Sequence, residues 1–148
     1  MTEKIIHLED LFFEVVANCW LAIKNKGKSY IAEKGFDLTF EQFIILSVLE
    51  KEEGVNLRIL AQKADRDRTS ITRMLDGLEK RNLVVRIGDK NDNRQKLVYL
   101  TKNGRKLVED MGCHKEEFIK FFFEGLSRDK MKITIDFVKQ VTDRVNKS

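Results

Sequence analysis

A short polar stretch near the middle of the chain has side chains suited to recognising bases and phosphates. It consists of Arg68, Thr69, Ser70, Thr72 and Arg73. A guanidinium pairs in a bidentate manner with the O6 and N7 atoms of guanine, and a hydroxyl can bond a base or a phosphate. At the start of a helix, these residue types would face whatever the helix N-terminus approaches. The stretch is therefore a candidate for reading nucleic acid.

The charge of the chain is concentrated around this stretch. Residues 54–106 hold fourteen Lys and Arg against six Asp and Glu, whereas the remaining residues hold fourteen against eighteen. The formal net charge of +4 therefore hides a basic segment within an acidic remainder. A basic patch suits a polyanion, because each Lys or Arg at a phosphate releases a condensed counterion. Nucleic acid is the first partner that this pattern indicates.

Apolar periodicity and capping residues predict the helices that position this stretch. An apolar stripe over residues 5–23 predicts a first helix, followed by a polar stretch that Gly27 interrupts. Thr39 and Gln42 are typical of a capping box that opens a helix over residues 40–51. Further helices are predicted by capping at Asn56, Asp67, Thr101 and Ser127.

The helix that Asp67 caps runs to about residue 81 and is amphipathic. Its apolar face consists of Ile71, Leu75 and Leu78. Its other face is polar and is predicted to be free for recognition. Residues 83–87 and 96–100 are rich in Val, Leu, Ile and Tyr and flank a polar segment, which predicts a β-hairpin. The order of elements is that of a winged helix-turn-helix, in which the second helix enters the major groove of DNA.

Two stretches carry a resemblance to a known family. Residues 69–84 read Thr-Ser-Ile-Thr-Arg-Met-Leu-Asp-Gly-Leu-Glu-Lys-Arg-Asn-Leu-Val, and residues 92–104 read Asp-Asn-Arg-Gln-Lys-Leu-Val-Tyr-Leu-Thr-Lys-Asn-Gly. They resemble the MarR (multiple antibiotic resistance regulator) family, whose wing reads Asp-x-Arg and precedes a short strand and a Leu-Thr-x-x-Gly helix start. One departure is Gly77, where many relatives carry a larger residue. Gly there indicates either close packing of two segments or a locally soft helix.

The resemblance implies a mainly α fold with a small β-hairpin wing. Residues 1–148 would form one MarR-like domain, with the winged helix-turn-helix lobe at 38–104. Helices in 1–34 and 105–148 would form the dimerisation region of a homodimer. The implied function is a sequence-specific regulator of transcription that binds double-stranded DNA at a pseudo-palindromic operator and represses until an effector is bound.

The resemblance also assigns residues to roles. The predicted DNA-binding residues are Arg68, Thr69, Ser70, Thr72, Arg73, Lys90 and Arg94. Arg94 would enter the minor groove at the wing tip, and Asp92 would support it through a charge-assisted bond. Trp20 and Phe43 would help to wall a pocket for an aromatic or amphipathic effector. Packing between subunits is the alternative role for these aromatic residues, and for the cluster at residues 118–123 it is preferred.

The two cysteines are predicted to be reduced and mostly buried. Cys19 lies on the apolar stripe of the first helix, which favours a packing role over redox sensing. Cys113 stands next to His114, yet His7 is the only other histidine, so no metal ligand set is indicated. No cofactor is expected.

Other function classes are less well supported. A winged-helix module that binds protein and not DNA would be expected to lose Arg from the helix and the wing, and this chain keeps both. An enzyme would need a nucleophile and base, a phosphate-binding glycine loop or a metal ligand set, and no such pattern occurs. Neither an apolar run of about 18 residues nor a signal-peptide pattern is present, which predicts a cytoplasmic protein without a membrane partner.

Overall fold

The computed structural model describes residues 7–88, 90 and 95–147. These residues form helices and short strands in the order expected for a winged helix-turn-helix. In chain order they are α1 Leu8–Glu33, α2 Phe40–Lys51, β1 Val55–Asn56, α3 Leu57–Lys63, α4 Arg68–Lys80, β2 Val84–Gly88, β3 Lys96–Leu100, α5 Lys102–Phe123 and α6 Arg128–Lys147. The predicted fold class, mainly α with a small β wing, is confirmed. The chain divides into two compact units, one ending at Met111 and the other beginning at Gly112.

The predicted helix starts are confirmed by their capping bonds. The Thr39 hydroxyl accepts from the Gln42 N–H at 3.1 Å, and the Gln42 side chain accepts from the Thr39 N–H at 3.0 Å. The Asn56 side chain accepts from the Ile59 N–H at 3.0 Å. Each bond satisfies a backbone donor that has no partner inside its own helix. Local sequence therefore determines where α2 and α3 begin.

The core of the first unit lies between α2, α3, α4 and the sheet. Its fully buried side chains include Ile45, Leu46, Leu49, Leu60, Ile71, Leu75, Leu78 and Val98. Burial of each such side chain contributes about 1.5 to 3 kcal/mol. Since the three apolar residues of α4 are all buried here, the opposite face of that helix must point outward.

The sheet has three antiparallel strands in the order β1, β3, β2, one more than the predicted hairpin. Val55 of β1 pairs with Val98 of β3, which in turn pairs with Arg86 of β2. A strand of two residues between two helices has no measurable periodicity, so the sequence pattern could not indicate it. Val85 and Ile87 alternate with the inward residues and are exposed.

The Leu-Thr-x-x-Gly segment joins the sheet to α5. The Thr101 hydroxyl donates to the Asn82 carbonyl at 2.6 Å and accepts from the Gly104 N–H at 3.0 Å. A Cβ atom at Gly104 would lie 2.0 Å from the Leu83 carbonyl oxygen. Only glycine therefore lets the first turn of α5 approach the backbone that enters β2.

The first helix is longer than predicted. It continues through Gly27 to Glu33, so the expectation that Gly27 lies in an irregular polar stretch was wrong. A Cβ atom at Gly27 would lie 2.3 Å from Cε2 of Phe40, so this glycine lets the Phe40 ring pack against the helix backbone. The helix instead ends before Gly35, whose φ of +75° suits glycine.

The glycine inside α4 is not required by packing. A Cβ atom at Gly77 would have Gln42 Nε2 as its near neighbour, at 3.8 Å, which is ordinary van der Waals contact. Close packing is therefore not the reason for this glycine, and the softer-helix alternative remains. We expect Gly77→Ala to raise the free energy of unfolding by about 0.5 to 1 kcal/mol, because alanine loses less backbone entropy on folding.

Thermal and urea unfolding measure this effect, and Gly27→Ala is the matched control. The same added methyl group should destabilise the chain at Gly27, where it would clash with Phe40. Equal effects of the two substitutions would contradict this assignment.

The second unit carries the end of α5 and all of α6. The Ser127 hydroxyl accepts from the Lys130 N–H at 3.3 Å, so the predicted cap of α6 is confirmed. Phe118 and Phe122 contact edge to face with ring centroids 4.7 Å apart, whereas Phe121 is 71% exposed. The aromatic side chains of this segment therefore do not all face the same side of α5.

Candidate nucleic-acid interface

The first turn of α4 is held by its N-cap. Asp67 accepts from the Ser70 N–H at 2.9 Å and from the Ser70 hydroxyl at 2.6 Å. These hydrogen bonds from Ser70 hold the pKa of the Asp67 carboxyl below its ordinary value. The cap fixes the direction in which the first side chains of α4 leave the helix.

Two of the predicted contact residues have hydroxyl protons that are already engaged. Ser70 donates to Asp67, and Thr72 donates to the carbonyl oxygen of Arg68 at 2.9 Å. In this geometry each hydroxyl oxygen can only accept, so it could meet an amino group of a base but not a bare phosphate oxygen. Thr69 is exposed. The local partners of Ser70 and Thr72 were not anticipated from the sequence.

Arg68 and Arg73 are the strongest candidates for DNA contact. Both side chains are exposed on the first two turns of α4. Within the described part of the chain, neither guanidinium forms an ion pair with a carboxylate. Both guanidiniums can therefore bind an external acceptor without breaking an internal bond.

The other arginines near this helix have structural partners. Arg66 pairs with Glu41, Arg81 with Asp37, Arg86 with Asp76 and Glu79, and Arg105 with Glu53. The basic segment thus contains one set of arginines that holds elements together and a second set that is open to solvent. Composition alone cannot separate these two sets.

One of these structural arginines attaches the wing to α4. Arg86 of β2 donates through Nη2 to Asp76 at 2.5 Å and to Glu79 at 2.5 Å, and its backbone N–H donates to Glu79 at 3.0 Å. The hydrogen bonds from Arg86 hold the pKa of Glu79 below its ordinary value. Asp76 belongs to the polar face of α4 that was predicted to be free for recognition, and its pairing with Arg86 shows that this face is partly engaged by the wing. The sequence signal for this contact between the wing and α4 is a charged residue, Arg86, at an inward position of β2.

The tip of the wing is only partly described. Lys90 is exposed. Asp92 and Arg94 lie outside the described residues, so their predicted roles remain predictions. In the described part of the wing, β2 ends at Gly88 and β3 begins at Lys96.

Comparisons with known proteins identify the fold and the family. A sequence model of the MarR family matches residues 38–96. The chain is similar to the HTH-type transcriptional regulator FarR of Neisseria gonorrhoeae, with 33% identity over 105 residues that cover 71% of this chain and 72% of FarR. The chain belongs to the MarR family. It is a DNA-binding transcription regulator, since its relatives and its fold are those of regulators and not of enzymes.

Two solved structures extend the comparison to nearly the whole chain. A MarR/EmrR family regulator from Acinetobacter sp. ADP1 superposes with a TM-score of 0.83, covering 97% of this chain and 100% of its own, and its 17% identity shows the fold alone. NadR in complex with 4-hydroxyphenylacetate superposes with a TM-score of 0.77 at 26% identity, covering 95% and 96%.

The proposed effector region of this MarR-family chain contains three aromatic rings in a row. Phe40 lies between the two predicted residues, with its ring centroid 6.2 Å from that of Trp20 and 6.5 Å from that of Phe43. Phe40 is buried, whereas Trp20 is exposed in the single chain. The structure thus brings both predicted residues to one aromatic group, to which sequence reasoning had not assigned Phe40.

Glu41, which follows Phe40 in the chain, is a buried carboxylate. Burial raises its pKa, but the hydrogen bond from Arg66 and the neighbouring Lys24 outweigh this effect and lower the pKa to about 2. Because the pKa of Glu41 is lower in the folded state, the ionised carboxylate and its two cationic neighbours stabilise the protein above about pH 4.5. This contribution to the free energy of unfolding is lost as the pH falls toward 2.

We therefore expect a pH-dependent difference between Glu41→Gln and Glu109→Gln, which removes the same charge from an exposed site. At neutral pH, Glu41→Gln should be less stable than this control by at most about 3 kcal/mol. The gap should shrink at pH 3. Urea unfolding at both pH values measures it, and a gap independent of pH would contradict the assignment.

The cysteine prediction needs correction. Cys19 is exposed in the single chain, although it was predicted to be mostly buried. The apolar stripe of α1 on which it stands is largely uncovered within one chain, so the stripe alone did not ensure burial. The side chain of Cys113 lies outside the described residues.

The described residues were also compared with the requirements of a metal cluster and of a membrane-spanning helix. No group of three or more His, Cys, Asp or Glu among them is arranged to hold a metal ion. None of their helices has the length and apolarity that crossing a membrane requires.

Proposed function

We propose that this chain is a ligand-responsive homodimeric repressor that binds a pseudo-palindromic operator. The winged helix-turn-helix lobe at 38–104 would read DNA, and helices in 1–34 and 105–148 would hold two lobes at a fixed spacing. Because the proposed function is to bind DNA, we also expect the protein to be located in the cytoplasm.

The observation that carries this proposal is that two guanidiniums on α4 form no ion pair with any residue that the structure describes. Arg68 and Arg73 leave the capped end of an exposed helix whose other face is anchored in the core. A recognition helix contacts base edges with its N-terminal residues. We propose Arg68, Thr69 and Arg73 as the main contacts from this helix, with Ser70 and Thr72 as acceptors. Lys90 and Arg94 would contact DNA from the wing, with Asp92 as support.

The uncovered apolar side chains of the terminal helices support a homodimer. The large exposed apolar residues of these helices include Leu8, Val15, Val16, Leu21, Ile133, Phe137 and Val145. Apolar surface on this scale is characteristic of an interface. A second copy is the simplest partner, because two-fold symmetry would also supply the second lobe that a palindromic operator requires.

The aromatic group supports an effector site. The NadR structure contains 4-hydroxyphenylacetate, a phenolic acid. We propose that Trp20 and Phe43, with Phe40 between them, contact an aromatic or amphipathic effector in this chain. Repression would end if the effector prefers a spacing of the two lobes that DNA does not accept.

A salt titration tests DNA binding against the alternative of a protein-interaction module. A labelled random duplex should bind at low salt, with the logarithm of the affinity falling linearly with the logarithm of the salt concentration. A module without DNA binding would give no change in anisotropy at any salt concentration.

Adding 4-hydroxyphenylacetate to the complex of protein and DNA, with Phe43→Ala as comparison, then tests the effector site.

A further inference from the structure

Glu41 joins three segments of the first unit through one oxygen atom. Its Oε1 accepts from Arg66 Nη2 at 2.6 Å and lies 3.2 Å from Lys24 Nζ. Lys24 belongs to α1, Glu41 to the first turn of α2, and Arg66 to the turn between α3 and α4. A displacement of α1 at Lys24 therefore changes the surroundings of the carboxylate that holds the helix-turn-helix turn.

The backbone around Arg66 transmits this contact to α4. The Arg66 N–H donates to the Ala61 carbonyl at 3.0 Å, and Asp65 before it has a left-handed φ of 51°. This geometry is the Schellman end of α3, and the next residue, Asp67, caps α4. Arg66 is therefore followed directly by the N-cap of α4, so the ion pair to Glu41 holds the residue next to the start of the recognition helix.

Apolar contacts attach the same turn of α2 to α1. Phe40, the neighbour of Glu41, packs against the backbone at Gly27 and against the ring of Trp20. Residues spaced like Trp20, Lys24 and Gly27 share one side of a helix. The first turn of α2 thus contacts α1 through the aromatic ring of Phe40 and through the ion pair between Glu41 and Lys24.

Stability alone does not explain a carboxylate at this position. Glu41 is 7% exposed and is the buried charged residue among those the structure describes. Replacing a buried ion pair by apolar residues of similar volume is often neutral or stabilising, because desolvation offsets the Coulombic attraction. A directional bond to Arg66, in contrast, defines one geometry of the turn.

We propose that Glu41 is a positioning residue for DNA recognition, which links α1 to the turn before α4 and so keeps the recognition helix at one orientation on α1. The inference rests on the proposed function, because it takes α1 as part of the dimer interface and α4 as the helix that reads DNA. Two lobes dock on one operator only at the right spacing. Loosening the link therefore weakens binding to paired half-sites and leaves a single half-site unaffected.

The experiment compares Glu41→Gln with the charge-matched control Glu109→Gln. The probes are a duplex selected with the wild-type protein from a random library and the same duplex with one half-site scrambled. We expect Glu41→Gln to bind the full duplex about tenfold more weakly, a typical coupling between sites, with the salt dependence unchanged. Affinity for the scrambled duplex should equal that of the control.

Fluorescence gives a second readout, because Trp20 is the single tryptophan of the chain and contacts Phe40. Coupling is reciprocal, so binding of the full duplex should alter Trp20 emission in the control and alter it less in Glu41→Gln. Circular dichroism confirms folding. Should Glu41→Gln not fold, Lys24→Gln replaces it, since Lys24 is partly exposed and its loss leaves the Arg66 bond in place; the same selective loss is expected.

Two results overturn the inference. One is full-duplex affinity equal to that of the control in a folded variant. The other is a steeper salt dependence in Glu41→Gln, because the released Arg66 would then be binding a phosphate. Arg73→Ala separates this inference from the proposed function. If Arg73→Ala weakens binding and Glu41→Gln does not, only the inference fails, whereas unchanged binding in both removes the proposed docking of α4.

Discussion

Val15→Glu is expected to convert the protein from a dimer to a monomer and to weaken operator binding at least about a hundredfold. Val15 lies on the apolar stripe of α1 and is 56% exposed in the single chain, so the substitution leaves the core of one chain intact. In a two-fold interface the new carboxylate is buried twice, and an unpaired buried charge costs about 3 to 5 kcal/mol. Sedimentation equilibrium measures the mass, and anisotropy measures the affinity.

The matched control for this prediction is Ser29→Glu. Ser29 is an exposed polar residue of the same helix, about two turns beyond Leu21, the last of the uncovered apolar side chains of α1. This variant should remain a dimer with unchanged operator affinity. If Val15→Glu stays dimeric with full helicity, the stripe of α1 is not the interface.

Arg73→Ala is expected to lower operator affinity by about 1 to 3 kcal/mol, which corresponds to roughly 5- to 150-fold. Its guanidinium is exposed and unpaired within the described residues, so its removal leaves no internal partner behind. If the side chain reads a guanine, discrimination against base changes in the operator should fall with it. Competition with operator variants measures both quantities.

Lys80→Ala is the control for Arg73→Ala. Lys80 is exposed at the far end of α4 and carries the same charge. Its loss should weaken binding only slightly and equally for every sequence. Equal effects of both substitutions would show that α4 contributes charge alone and does not read bases.

The lobe could be largely predicted from local signals. Each signal acts within a few residues: Thr39 with Gln42 starts α2, Asp67 starts α4, and the spacing of Ile71 and Leu75 defines the buried face. Such signals determine helix starts and faces before any tertiary contact forms. They also directed attention to Arg68 and Arg73.

The contacts missed by sequence reasoning are those between residues far apart in the chain. Arg86 meets Asp76 across a turn, and Glu41 meets Arg66 twenty-five positions later. A local sequence pattern does not indicate which arginines will form an ion pair with a carboxylate and which will remain exposed to solvent. The length of α1 was missed for a related reason, because the need for glycine at position 27 arises from Phe40 of another helix.

Selection of binding sites from a random duplex library tests the central claim most directly. The wild-type protein should enrich duplexes with two inverted half-sites whose centres lie about 10 base pairs apart, one helical turn, because two copies of α4 must enter successive major grooves on one face. Enrichment of a single unpaired half-site, or no enrichment over the starting library, would contradict a dimer that reads a palindromic operator.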